Sequence, residues 1–297
     1  MTTFFGELAK KLAERWVSLL AIPGLLFLTV LLVGARLRWA HAVDVGYALD
    51  SLDKLVADIG RWPSARKTLG VAGLLLAAAA VGLAAGGLAA GVRLIWLGRW
   101  PTPLARWPST VRRNRWDALV DQRFELEKAD GRTDEMQSVI DDLAARANRI
   151  ALARPARPTW IGDRFTAVES IGHERYGLDL TFVWPAFWLV APDHVRSEIE
   201  AAGGQFADAT VRGAWASLYG LLALLWPPSG AVAVVLGVAA WRRGRSSAAA
   251  QSRLAEVALD LHGRDLATTL GVSSEETTGP LTPEEGAAIT RICRKGR

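Results

Sequence analysis

Three long stretches without a charged residue constrain the fold of this chain more than any other feature: residues 16–35, 68–92 and 213–241. Each reaches or exceeds the about 20 apolar residues that a helix needs to cross a hydrocarbon core. A charge in mid-bilayer costs about 3 kcal/mol, so uninterrupted runs of this length predict membrane segments. Basic residues flank all three stretches, as is typical of membrane helices: Arg15, Arg36, Lys67, Arg93, Arg212 and Arg242.

Composition is typical of a small polytopic membrane protein with a soluble portion. Of the 297 residues, 51% are hydrophobic, and nearly all the charge lies outside the three stretches. The first stretch is longer than the core of a signal peptide, and Arg36 and Arg38 follow it, so we expect an uncleaved anchor. Tryptophan prefers the headgroup level of a bilayer, and six tryptophans stand near the ends of the stretches: Trp16, Trp39, Trp96, Trp100, Trp215 and Trp241.

The expected fold is mainly α, an integral membrane protein with two spanning helices, a third Pro-broken membrane segment and a helical cytoplasmic portion. Nine basic residues flank the spans on the side of the N-terminus and six lie in the connecting loop, which predicts a cytoplasmic N-terminus. The predicted segments are an amphipathic helix at 1–15, spans at 16–35 and 68–97, an extracytoplasmic loop at 36–67, a cytoplasmic domain at 98–212, the broken segment at 213–241 and cytoplasmic helices at 242–297.

The third stretch is interrupted near its centre by four residues: Trp226, Pro227, Pro228 and Gly230. A straight helix of this length would measure about 43 Å, which is longer than a bilayer core, and adjacent prolines disfavour it. Two interpretations remain, a single kinked span and a helical hairpin that enters and returns on the same face. Only the hairpin leaves Arg242 and Arg243 on the cytoplasmic side, so the hairpin is preferred.

The second span contains two GxxxG motifs in direct succession, formed by Gly82 and Gly86 and by Gly87 and Gly91. Glycines four residues apart lie on one helix face and let another backbone approach closely. That backbone belongs either to the first span or to a second copy of the chain, and the motif alone does not decide between internal packing and a homo-oligomer.

The loop at 36–67 contains an amphipathic helix. Aspartates at 50, 53 and 58 occupy other sides of the helix from its aliphatic residues, which recur at helical spacing. We expect this helix to lie on the membrane or on the spans. The aliphatic residues are Val45, Leu49, Leu52, Val56 and Ile59.

A shorter uncharged run lies at 180–192, inside the large polar segment. Thirteen residues are too few to span a bilayer as a helix. We interpret the run as an interfacial anchor, because aromatic side chains suit the headgroup region, with the buried core of a soluble domain as the alternative. The anchoring residues would be Phe182, Trp184, Phe187 and Trp188.

No catalytic motif is present: the chain lacks a phosphate loop, HExxH, GxSxG and an EF-hand. The single cysteine, Cys293, excludes an intramolecular disulfide and a cysteine metal site, and no two histidines are spaced as metal ligands. We therefore expect no enzymatic activity, no cofactor, no metal and no nucleic-acid partner. One ionisable patch is expected to stabilise turns and helix ends: Asp163, Glu169, His173, Glu174, Arg175 and Asp179.

Five short motifs follow one another between residues 155 and 195: TWIGD at 159–163, Glu169, RYGLD at 175–179, Trp184-Pro185 and APD at 191–193. Their order resembles that in an uncharacterised family of bacterial polytopic membrane proteins with a PTxxG(N/D), E, RYGLD, WP, PD pattern. Asp163 stands where that pattern more often has Asn, and Phe187 where it has Leu. The resemblance implies a shared architecture and transfers no catalytic residue.

These features predict a non-enzymatic protein of the bacterial inner (cytoplasmic) membrane that anchors or scaffolds an unidentified cytoplasmic protein. The motivation is a large polar segment without catalytic motifs that is tied to the lipid bilayer at several points. The alternative is an oligomeric pore, channel or membrane effector, based on the tandem GxxxG motifs and the broken third segment.

Overall fold

A computed structural model describes residues 22–129, 131, 133–274 and 276–295, and all regular secondary structure in these ranges is helical. The expected mainly-α fold is therefore confirmed for this part of the chain. The predicted helix at 1–15 and residues 16–21 of the first span lie outside the described residues. The helices are α1 Ile22–Leu37, α2 Val45–Gly60, α3 Ser64–Trp96, α4 Thr102–Glu127, α5 Asp134–Ile150, α6 Trp160–Tyr176, α7 Leu180–Val190, α8 Asp193–Leu222, α9 Pro228–Thr269 and α10 Pro283–Arg294.

The chain divides into two compact units. Unit 1 comprises Met1–Val92 and Asp208–Arg242, and unit 2 comprises Arg93–Ala207 and Arg243–Arg297. All three charge-free stretches belong to unit 1 and none belongs to unit 2. The separation of charge-free stretches from charged segments in the sequence therefore corresponds to the division of the folded chain into two units.

In unit 1, α1 and α3 approach each other so closely that no side chain fits at the contact. A Cβ on Gly24 would overlap the carbonyl oxygen of Ala78. Among the described residues, Gly24 permits close backbone packing, which is the usual role of glycine where helices meet.

The third stretch forms a helical hairpin within unit 1. Helix α8 ends at Leu222 and α9 begins at Pro228, so the predicted break is present. Cβ atoms built on Gly220 and Gly237 would lie 3.8 Å from the Cβ atoms of Ala233 and Ala216, which is the pairing of two antiparallel helices. Ser229 stabilises the turn by donating to the carbonyl oxygens of Trp226 (2.8 Å) and Tyr219 (3.2 Å).

Helix α9 does not end where the apolar stretch ends. The sequence predicted a membrane segment up to residue 241 and separate cytoplasmic helices from residue 242 on, whereas a single helix continues from Pro228 to Thr269. The change from apolar to charged composition leaves the backbone hydrogen bonding unaffected, and no proline interrupts the helix after its first residue.

Unit 2 has a core formed by α6, α7, α8, α9 and α10, with α4 and α5 packed against each other beside it. Helix α5 begins after Thr133, whose side chain accepts a hydrogen bond from the Met136 amide, and it buries Ile140 and Leu143. Helix α10 begins with a capping box formed by Thr282 and Glu285.

Helix α7 corrects part of the interpretation of residues 180–192. Val183 and Phe187 are completely buried and Leu180 is nearly so, all within the core of unit 2. Phe187 therefore does not anchor the chain in an interface. Phe182, Trp184 and Trp188 are only partly buried, so contact of this outer side with a membrane stays a prediction. Because the run is apolar on all sides, periodicity could not separate a core helix from an interfacial one.

Candidate membrane-contacting surface and partner groove

The distribution of side-chain size in unit 1 is the reverse of that in a water-soluble helix bundle. The buried side of α3 consists of small residues, chiefly alanine and glycine, whereas its exposed side carries leucines. Leu69, Leu76 and Leu83 are 73%, 70% and 63% exposed. Small residues inside and large aliphatic residues outside are characteristic of helices that pack in lipid. The buried residues are Ala78, Ala79, Gly82, Ala85, Ala89 and Val92.

By length and composition, α3 is the one described helix that could cross a membrane. Only 22% of its most apolar window is buried, which differs from the mostly buried core helix of a soluble protein. Helix α1 has no charged residue before Arg36 in its last turn, and it forms the second part of the predicted first span.

The four glycines of the tandem motif lie in different environments. Gly82 is buried among the small residues of α3. Gly86 and Gly87 are exposed, and a Cβ built on either, or on Gly91, would have no described atom within 4 Å. Internal packing therefore uses Gly82, whereas no described residue packs against Gly86 or Gly87.

Two tryptophans connect the end of α1 to the hairpin turn by reciprocal hydrogen bonds. The Trp39 indole N–H donates to the Leu224 carbonyl oxygen at 2.9 Å, and the Trp226 indole N–H donates to that of Ala42 at 2.9 Å. A Cβ on Gly34 would lie 2.9 Å from the Trp226 Cβ, so Gly34 makes room for this indole. The turn between α1 and α2 and the tip of the hairpin are thereby fixed to each other. Pro227, Pro228 and Gly230 follow Trp226 in this break.

A groove in unit 2 lies between α6, α7, α8 and α9. It consists of two cavities of about 440 and 530 Å³ that share Trp184, Pro185, Ile199 and Gln251. Its lining is mostly apolar, and its ionisable members are two exposed glutamates, Glu169 from α6 and Glu200 from α8. Partly exposed tryptophans with a neighbouring apolar surface are typical of sites where one protein binds another.

The motif at 159–163 is a structural joint at the start of α6. Thr159 accepts from the Gly162 amide and donates to the Trp96 carbonyl oxygen at 2.6 Å. Asp163 is 3% exposed and accepts from Arg112 Nη2 at 2.8 Å and Nε at 3.1 Å. It also accepts from the amides of Ala156 (2.8 Å) and Arg157 (2.6 Å). This residue fixes α4, the preceding loop and α6 together.

The motif at 175–179 ends α6 and starts α7. Gly177 has φ of 68°, a left-handed conformation that glycine adopts without strain. Tyr176 donates to Asp260, and burial together with this hydrogen bond raises the pKa of the Tyr176 hydroxyl to about 12. Asp179 caps α7 and pairs with Arg294 at 3.1 Å.

Of the ionisable residues singled out in the sequence, three pair with different partners instead of converging on one site: Asp163 with Arg112, Arg175 with Asp260 and Asp179 with Arg294. Sequence reasoning missed Arg164 and Glu256, each of which has a buried side-chain atom without a hydrogen-bond partner. Burial lowers the pKa of Arg164 and raises the pKa of Glu256. Both would have been hard to find, because neither belongs to a motif.

Within the described ranges, no group of three His, Cys, Asp or Glu side chains could hold a metal ion. Comparisons with protein-family models, curated proteins and solved structures find no match. Function therefore has to be inferred from the molecule itself.

Proposed function

We propose that the chain is an integral protein of a bacterial cytoplasmic membrane, with unit 1 in the bilayer and unit 2 as a cytoplasmic scaffold for another protein. The inverted packing of unit 1 is the observation that carries the membrane assignment. Exposing a large aliphatic side chain to water instead of burying it costs about 1.5–3 kcal/mol, and α3 alone exposes several leucines. Lipid around unit 1 removes this cost.

The tryptophan pair supports a topology in which the hairpin reaches the far face of the membrane. If α1 carries the chain out of the cytoplasm, the tip at 223–227 lies on the same face as the turn at 38–44, because the two are hydrogen-bonded. The apolar arms at 213–222 and 228–241 measure about 15 and 21 Å, which is shorter than a bilayer core of about 30 Å. For the tip to reach the far face while both flanks stay cytoplasmic, the bilayer has to thin around the hairpin and Arg212 and Arg242 have to snorkel to the headgroups.

Cysteine accessibility tests this topology. In a Cys293→Ser background, single cysteines replace Val43, Leu224 and Ala129, which are all exposed. We expect a membrane-impermeant maleimide to label Val43→Cys and Leu224→Cys on intact spheroplasts, and Ala129→Cys only after the membrane is opened. Labelling of Leu224→Cys only after opening would contradict the far-face position of the tip. Release of the protein by alkaline carbonate would contradict the membrane assignment.

The groove of unit 2 supports the scaffold half of the proposal. Glu169 lines one of its cavities and Glu200 the other, and neither forms an ion pair with a described residue. An apolar helix that also carries basic residues has the chemistry to fill such a groove, since opposite charges steer and orient association.

A photo-crosslinking amino acid at Thr181, an exposed groove residue, tests the partner site in cells. We expect the crosslinked segment to be apolar and basic, and Glu169→Lys with Glu200→Lys to lower the yield by about tenfold. The control is Glu135→Lys with Asp141→Lys, which reverses two exposed charges on α5. Equal yields from the groove and control variants would refute this site.

The alternative function, an oligomeric pore, is favoured by one observation, the open position of Gly86 and Gly87 on α3. Under this alternative, native mass spectrometry of nanodiscs would detect a ring-sized oligomer that Gly86→Leu with Gly87→Leu abolishes.

A further inference from the structure

Helix α2 carries an apolar face that the described part of the chain leaves uncovered. None of its residues is buried. Val45, Leu49 and Val56 are 70%, 58% and 66% exposed, and Leu52 and Ile59 are also exposed. The sequence left open whether this helix packs on the spans or lies on the membrane. Five exposed aliphatic side chains in one row show that the described parts of the spans do not cover this face.

The apolar face continues the outward surface of α1. Leu52 lines a small cavity together with Leu32, Val33 and Leu37 of α1, and both Leu52 and Leu32 are exposed beside it. One apolar surface thus extends from α1 onto α2. Whatever covers Leu32 also reaches the apolar side of α2.

Charge excludes a transmembrane position for α2. Asp50, Asp53, Lys54 and Asp58 occupy its other sides and are all exposed, and 16 residues are too few to span a bilayer. Trp39 precedes the helix and Trp62 follows it, with the Arg66 guanidinium 4.4 Å from the centre of a Trp62 ring. Aromatic and basic side chains at both ends are characteristic of the headgroup region.

We propose that α2 lies in the membrane interface on the non-cytoplasmic side, with its apolar face among the upper acyl carbons. This inference rests on the proposed membrane location of unit 1. Lipid fits the face better than a second copy does, since three aspartates and one lysine give each α2 a net negative charge, and pairing two copies would bring like charges together. Amphipathic helices of this kind insert their apolar face about 5–10 Å into the interface.

Site-directed fluorescence in phosphatidylcholine nanodiscs tests the proposal with the full chain. In a Cys293→Ser background, a polarity-sensitive dye is attached at Leu49→Cys or Val56→Cys on the apolar face, or at Asp53→Cys on the charged face. We expect lipids with a nitroxide on an upper acyl carbon to quench the dye at residues 49 and 56 about threefold more than the dye at residue 53. Two apolar positions are used so that misfolding of one variant leaves the test intact.

A dye at Leu76→Cys on the exposed side of α3 tests the membrane location of unit 1 independently of the interfacial position of α2. Quenching at residue 76 without preferential quenching at 49 and 56 would overturn the interfacial position of α2 and leave the membrane assignment standing. A blue-shifted but unquenched dye at 49 and 56 would also overturn it, because protein would then cover the face. Absence of quenching at all positions would refute both inferences.

Discussion

Gly24→Ala is expected to destabilise unit 1 by about 3 kcal/mol or more, since overpacking is most costly where neither side can yield. The added Cβ would overlap the carbonyl oxygen of Ala78 and lie 2.8 Å from its carbonyl carbon. A flexible side chain could rotate away from such a contact, but the backbone of α3 cannot. Helices α1 and α3 would have to separate along their length.

The thermal midpoint of the full chain in detergent and in nanodiscs measures this effect. Gly73→Ala is the matched control, because Gly73 lies in α3 and a Cβ there would have no described atom within 4 Å. We expect Gly24→Ala to lower the midpoint clearly and Gly73→Ala to leave it unchanged or raise it, as alanine is the better helix former. Similar midpoints for the two variants would mean that the approach of α1 to α3 is less close than described.

Asp163→Ala is expected to cost unit 2 about 3–5 kcal/mol, because it leaves one partner of a buried ion pair without the other. The Arg112 side chain is 22% exposed, and its remaining acceptor is the Ile150 carbonyl oxygen at 2.7 Å. The amides of Ala156 and Arg157 lose their acceptor in the same variant. Asp163→Asn keeps an acceptor for these amides but removes the charge, so an intermediate loss is expected.

Hydrogen exchange of residues 150–163, measured in the full chain, locates this effect alongside the thermal midpoint. Asp142→Ala serves as the control, because its ion pair with Arg146 is exposed and pairs of that kind contribute about 0–1 kcal/mol. Faster exchange in Asp163→Ala and unchanged exchange in Asp142→Ala are expected. Unchanged protection in Asp163→Ala would show that the joint at α6 does not depend on this carboxylate.

Local signals in the sequence predicted several helix boundaries correctly. The break after Trp226 falls where two prolines stand, and the spacing of Thr282 and Glu285, which is typical of a capping box, marks the start of α10. These features succeed because each depends on residues within one helical turn. The sequence also distinguishes the three stretches that belong to unit 1 from the rest of the chain, because they contain no charged residue.

Features that depend on distant residues could not be predicted. The Trp39 indole and the Leu224 carbonyl are 185 residues apart in the chain, so both tryptophans were interpreted only as residues near segment ends or breaks. Phe187 was assigned to an interface because an all-apolar run does not reveal what surrounds it. On α9, Val257 and Leu261 are 44% and 68% exposed although both side chains are apolar. The buried face there includes Ala255, Ala258 and Ala267, and alanines contribute weakly to an apolar periodicity.

Each unit consists of two separate segments of the chain, and this determines when each unit can be completed during synthesis. Unit 1 requires residues up to Arg242, and unit 2 requires residues up to the C-terminal helix. A ribosome adds about 5–20 residues per second, so the 184 residues between Ala42 and Trp226 take about 10–40 s to synthesise. During that time the end of α1 has no hairpin to bind. A nascent chain released before residue 208 lacks part of both units; unit 1 can be completed once Arg242 has been added, and unit 2 only after the C-terminal helix.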